Sequence, residues 1–224
     1  AVTNGAASSI TAFDHSGNPQ TLTPGFGSLG TVTSITYDAH DNELYVASGS
    51  TVKAYDGNGN LELGSGFSGF TSTTPGGMTF DANNRNLYLI DGTSIEAWSE
   101  SGVKGGTSGF SAPNGCKTAG CVPTALVFNP PGLNWLYTVW SDGSKTAMAC
   151  YVQSGGNCNF NAGSNAFNTI NQPAQISFNS SNGDVYVASK DGVTVWDLEG
   201  NKKTTTGTFP AGSATAINGI ALGQ

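Results

Sequence analysis

Charge is scarce in this chain. Only 10% of its 224 residues are Asp, Glu, Lys or Arg, against roughly 25% in an average soluble protein. Its surface therefore has to be built mostly from Gly, Ser, Thr and Asn. Cations are scarcer still: eight Lys and Arg, with Arg85 the single arginine, stand against fifteen Asp and Glu, a net charge of -7. No basic stripe exists to hold a phosphate backbone, so the reading excludes a nucleic-acid partner. No apolar run approaches the roughly 18 residues of a membrane-spanning helix. The two histidines, His15 and His40, both sit in turn-like contexts with no Ser or Cys motif beside them. That gives a catalytic triad no support.

The four cysteines fall in two local pairs, Cys116 with Cys121 and Cys150 with Cys158. The spacings lack paired C-x-x-C knuckles and no His is near, so two disulfides are favoured over a zinc site. Disulfides imply an oxidising compartment, hence a secreted or cell-surface protein. The Ala-Val start suits a mature, cleaved chain. Loops this short gain little unfolded-state entropy on closure, so the bridges are expected to pin local loops.

Aromatics, at 10%, recur in register. Tyr37, Phe80, Phe128 and Phe178, with Leu222 in the same slot, close a first strand every 43 to 50 residues. Tyr45, Tyr88, Tyr137 and Tyr186 follow in a second strand, and Phe13, Tyr55, Trp98, Tyr151 and Trp196 end a third just before a turn. Alternating β-branched and aromatic runs bounded by Gly and Asn turns read as antiparallel strands. A period of this length with several strands per unit marks a β-propeller. The first piece lacks an opening strand, while Ile217 to Leu222 is an opening strand with nothing after it. The expectation is one domain: an all-β, five-bladed β-propeller of four antiparallel strands per blade. Its ring is closed by N- and C-terminal strands in one blade, which removes open sheet edges. The blade boundaries fall at about 1–31 plus 216–224, 32–74, 75–122, 123–172 and 173–215.

The units Tyr37-Asp38 with Leu44-Tyr45-Val46-Ala47, Phe80-Asp81 with Leu87-Tyr88-Leu89, and Val185-Tyr186-Val187-Ala188 with Trp196-Asp197 carry a likeness. The chain resembles the extracellular propellers of the NHL and YncE-like group over nearly its whole length. Those families commonly have six or seven blades where this chain counts five. The resemblance implies a fold rather than an activity.

Chemistry is harder to find. Asp14, Asp38, Asp56, Asp81 and Asp197 all follow a strand-closing aromatic and read as turn-makers whose carboxylates bond their own backbone. Asp56-Gly57-Asn58-Gly59-Asn60 starts like a calcium loop, but Leu61 stands where the loop needs glycine and no acid closes it. Lactonase-like propellers hold a metal on inner-strand side chains. Here the inner strands offer Ser34, Gly77, Thr124, Ala125, Gln175 and Asn218, with no carboxylate among them, so no metal or other cofactor is assigned. Phe26, Phe67, Phe110 and Phe209 are read as packing between blades. Asn179-Ser180-Ser181 fits a glycosylation sequon.

The candidate binding residues are Asp91, Asp142 and Asp191, each followed by Gly in the loop between second and third strands, with Lys145 and Lys190 nearby. Trp140 joins them as an aromatic surface suited to a sugar or a partner's side chain. The reading is a non-enzymatic extracellular module that binds a protein or glycan through its loops. One alternative is a subunit that assembles with copies of itself into a filament or surface layer. Another is a lactonase- or lyase-like enzyme.

Overall fold

In the computed structural model, residues 2–3, 10–14, 16–21, 26, 29–61, 70–71, 75–105, 110, 112–113, 116, 120–129, 134–143, 146–152, 170, 172–190, 192–198 and 200–203 are described. The expected closing strand Ile217 to Leu222 lies outside them, as do His15, Phe67, Lys145, Cys158, Asp191 and Phe209. The described residues form antiparallel strands grouped in five sheets. The chain divides into two compact units, Ala1–Gly92 with Glu96–Gly106 and Thr93–Ile95 with Thr107–Gln224.

The first unit opens with β1 (Val2–Thr3), β2 (Ile10–Phe13) and β3 (Pro19–Gln20), which pair in that order. Val2 faces Thr11 and Thr3 faces Ile10 in an antiparallel pair. The next sheet is β4 (Val32–Asp38), β5 (Glu43–Ser48), β6 (Thr51–Asp56) and β7 (Phe70–Thr71). Then come β8 (Pro75–Asp81), β9 (Asn86–Asp91) and β10 (Ser94–Ser99). The second unit holds β11 (Val122–Asn129), β12 (Trp135–Ser141) and β13 (Thr146–Val152) in one sheet. Its other sheet is β14 (Pro173–Asn179), β15 (Asp184–Ser189), β16 (Gly192–Trp196) and β17 (Lys202–Lys203). Among the described residues no helix is long and apolar enough to cross a membrane.

The reason these sheets stack is written in their second strands. In β9, Leu87, Tyr88, Leu89 and Ile90 are all buried, and in β12 so is every residue from Leu136 to Ser141. A strand buried on both faces must be covered on both, so one sheet cannot stand alone. The cover is aromatic. Tyr45 of β5 stacks on Phe80 of β8 with centroids 5.4 Å apart, and Tyr137 of β12 on Phe178 of β14 at 6.5 Å. Phe26 meets Tyr55 edge-on at 5.4 Å and Phe110 meets Tyr151 at 5.3 Å, so these two phenylalanines pack against a third-strand aromatic. First strands also run side by side, β4 against β8 and β11 against β14. There the Ser34 hydroxyl accepts the Met78 N–H at 3.0 Å.

Turns repeat as faithfully as strands. The N–H of Asp14, Asp56 and Asp197 donates to the carbonyl of Asn18, Asn60 and Asn201, while Gly17, Gly59 and Gly200 donate back to the Asp carbonyl. This is a type I turn closed by a left-handed residue, with Gly59 at φ 86°, a conformation that excludes a side chain at little cost only for glycine. Asn18 and Asn60 side-chain amides, then their backbone N–H groups, hold the Asp14 and Asp56 carboxyls below their usual range. These contacts are complete at neutral pH and weaken as pH falls through the carboxylate range. At the sequon, Asn179 Oδ1 accepts the Ser181 N–H at 2.9 Å.

Two outcomes follow from the buried second strands. Leu89→Ala, at a side chain with no exposure, should cost about 2–5 kcal/mol in urea unfolding. Desolvation raises Tyr88 and Tyr151 from 10.0 to about 12. A tyrosine whose folded pKa is raised stabilises the fold fully below the unfolded value and loses that contribution as pH climbs towards the folded one. Circular dichroism should therefore be flat up to pH ~10 and fall above it, in step with tyrosinate absorbance.

Candidate functional site

The first strand of each larger sheet carries one residue more than the second strand opposite. Val32 faces Ser48 while Ser34 faces Ala47, and the same slip recurs at Pro75/Met78, Pro123/Ala125 and Pro173/Gln175. Proline opens three of these four bulges because a bulge or strand start does not need its N–H. An extra residue of this kind bends a strand locally, and in the second unit a cleft lies beside one such bulge.

That cleft has a volume of about 540 Å³. Val122 and Thr124 come from the start of β11, Ser141, Asp142 and Gly143 from the turn after β12, and Gln172 and Pro173 from the entry to β14, with Gly120 completing the wall. Thr124 is the bulge residue, and its hydroxyl donates to the Val139 carbonyl at 3.2 Å. The Ser141 hydroxyl accepts the Gly143 N–H at 3.0 Å, and the Thr146 hydroxyl donates to the Ile170 carbonyl at 2.8 Å, tying the approach to β14 onto β13. Gln172 has φ 46°. A residue ahead of proline is confined to extended backbone with negative φ, so this glutamine is held where its sequence disfavours it. Strain of this kind costs on the order of 1–3 kcal/mol and gathers at binding and catalytic sites.

Of the described candidate residues, Asp142 is the one placed in the cleft, where it is exposed. Asp91 is half-buried at the end of β9 in the first unit, and Lys190 is exposed directly after β15. Asp191 and Lys145 lie outside the described residues. Trp140 is corrected: it is 2% exposed and presents no aromatic surface. It belongs to the central strand of its sheet, and its indole N–H donates to the Thr138 hydroxyl at 2.8 Å. Thr124 and Gln172 were not singled out as binding residues from the sequence. Each stands beside a proline at or next to the start of a strand, the one signal available for them.

Chemically the wall offers a carboxylate, a primary amide and a hydroxyl over apolar Val122 and Pro173. No His or Cys is among the described lining residues, so nothing there pairs a nucleophile with a base. The arrangement suits reversible recognition of a polar group.

Gly120 of the cleft wall belongs to a loop closed by a disulfide. Cys116 and Cys121 form a disulfide with Cα atoms 5.2 Å apart, and the Cys116 sulfur lies 3.9 Å from the Trp140 carbonyl. Cys150 is buried and also disulfide-bonded, and its expected partner Cys158 lies outside the described residues. Replacing Cys116 and Cys121 together by Ser closes off a loop constraint of only five residues. The loss should be about 2 kcal/mol, read as a lower denaturation midpoint with an unchanged far-ultraviolet spectrum.

Comparison with protein-family models and with curated protein sequences finds no match. Among solved structures, the chain is similar to a chain in the crystal structure of a nidogen/laminin complex, with a TM-score of 0.59 and 15% identity. The likeness covers 80% of this chain and 66% of that one, so this chain spans just under two thirds of that chain's length. At such identity the likeness concerns fold, and the fold it supports is the β-propeller.

Proposed function

We propose that this chain is a non-enzymatic extracellular binding module, a five-bladed propeller closed by strands from both ends of the chain. The cleft between the starts of β11 and β14 takes a polar group of a protein or glycan. One observation carries the reading: Gln172 is held at positive φ ahead of Pro173, on the rim that also presents Asp142. Strain kept in an exposed wall without a catalytic set is the mark of a positioned recognition surface. The disulfide between Cys116 and Cys121 supports an oxidising environment. The similar structure is a complex of nidogen and laminin, which supports a propeller used for binding.

Glycan arrays and pull-downs with the wild type and Asp142→Ala test this reading. The expected result is a retained ligand whose affinity drops about tenfold in the variant, a change of about 1.4 kcal/mol. Binding that is indifferent to Asp142→Ala and to Gln172→Ala would move the site elsewhere. No ligand on either screen, together with concentration-dependent light scattering, would replace this reading with self-assembly of the chain.

A further inference from the structure

The first unit holds a constellation that the binding reading leaves unused. The turn joining β4 to β5 reads Asp38-Ala39-His40-Asp41-Asn42-Glu43, and the equivalent turn joining β8 to β9 reads Asp81-Ala82-Asn83-Asn84-Arg85-Asn86. Asp81 is buried and satisfied by its own turn. Its Oδ1 accepts the N–H groups of Asn83 at 2.9 Å and Asn84 at 3.3 Å, and its Oδ2 accepts the Asn84 side-chain amide at 3.1 Å. Asp38 is just as buried, and its Oδ1 accepts the His40 N–H at 2.8 Å. Where Asn84 would donate, however, stands Asp41, which has no amide. Asp38 Oδ2 is buried with no hydrogen-bond partner among the described residues.

That substitution does more than leave one oxygen bare. One carboxylate oxygen from each of Asp38, Asp41 and Glu100 lies within 4.8 Å of the others. Glu43, at the start of β5, is buried close by and its Oε2 accepts the Tyr45 hydroxyl at 3.3 Å. Arg85 donates to both Asp41 and Glu100, and His40 Nδ1 lies 2.7 Å from Asp41 Oδ1. Arg85 itself sits at φ 57°, in the turn slot that Asn42, Asn134 and Gly183 fill in the other sheets, and its carbonyl accepts the Glu100 N–H at 3.1 Å. Arg85 bonds two of the three carboxylates, and among the described residues no donor reaches Oδ2 of the third, Asp38. An unpaired buried carboxylate oxygen is expensive, and a bound cation would remove that cost.

We infer that Asp38, Asp41 and Glu100 bind a hard divalent cation of the calcium class. The ligands are all oxygens, as calcium requires, and twice a calcium–oxygen distance of roughly 2.3–2.6 Å matches carboxylates separated by less than 4.8 Å. Turn residues and water complete a flexible coordination shell, which calcium accepts and magnesium does not. Arg85 is the resident counterion, which the metal shares with or displaces from Asp41 and Glu100.

The test is a calcium titration of chelator-treated protein, followed by calorimetry and by Tm, against sodium chloride of matched ionic strength. Wild type should show saturable binding and a Tm that rises with calcium. Asp38→Asn keeps the Oδ1 acceptor of its turn and should lose the calcium response while keeping its metal-free Tm. Arg85→Gln removes the competing cation and should bind calcium several-fold more tightly. Asp142→Ala should respond like wild type, which separates this site from the cleft. No saturable calcium binding in wild type and in Arg85→Gln, or an undiminished response in Asp38→Asn, would overturn the inference.

Discussion

Second strands buried on both faces are the constraint on which the rest of the structure depends. Leu87 through Ile90 and Leu136 through Ser141 leave no face for water, so each sheet holds its shape only when a neighbouring sheet covers it. The stacking of Tyr45 on Phe80 and of Tyr137 on Phe178 is the point where that cover is made. Stacked aromatic pairs add about 0.5–1.5 kcal/mol beyond the area they bury, and they also set the spacing between sheets. Once that spacing is fixed, strand ends and turns are left as the positions free to vary.

The bulges occupy that free margin. A surplus residue stands at the head of each of four first strands, and where it is Thr124, beside Ser141, Asp142 and Gln172, a polar-walled cleft lies next to it. The rigid sheets beneath let Gln172 stay at positive φ ahead of proline, because the well-packed Ile170 and Thr146 contact holds the approach in place. Affinity at such a wall depends on groups already aimed before the ligand arrives.

The same margin explains the acidic turn. Asp81 and Asp38 occupy equivalent places, and their surroundings differ through a neighbour three residues on: Asn84 completes one carboxylate, and Asp41 leaves the other incomplete. Scarcity of charge elsewhere makes this gathering of Asp38, Asp41 and Glu100 around the single arginine a local feature with a strong field.

The repeat was legible because strand pairing and turn chemistry are local. Alternating apolar residues and turn-forming Asp, Asn and Gly set the all-β class, the strand order within each sheet, and the Asp14, Asp56 and Asp81 turns, all from neighbours along the chain. Reading Trp140 as surface failed because exposure depends on how many faces of a strand are covered, and a run of apolar residues does not state that number. Asp38, Asp41 and Glu100 went unnoticed as a set because Glu100 stands about sixty residues after the turn that holds the other two, and Gln172 because a backbone angle forced by packing has no local signature. What the residues decide alone is hydrogen bonding within a few positions. Which side chains meet across sheets is settled only when the sheets stack, since that step brings distant turns within bonding distance.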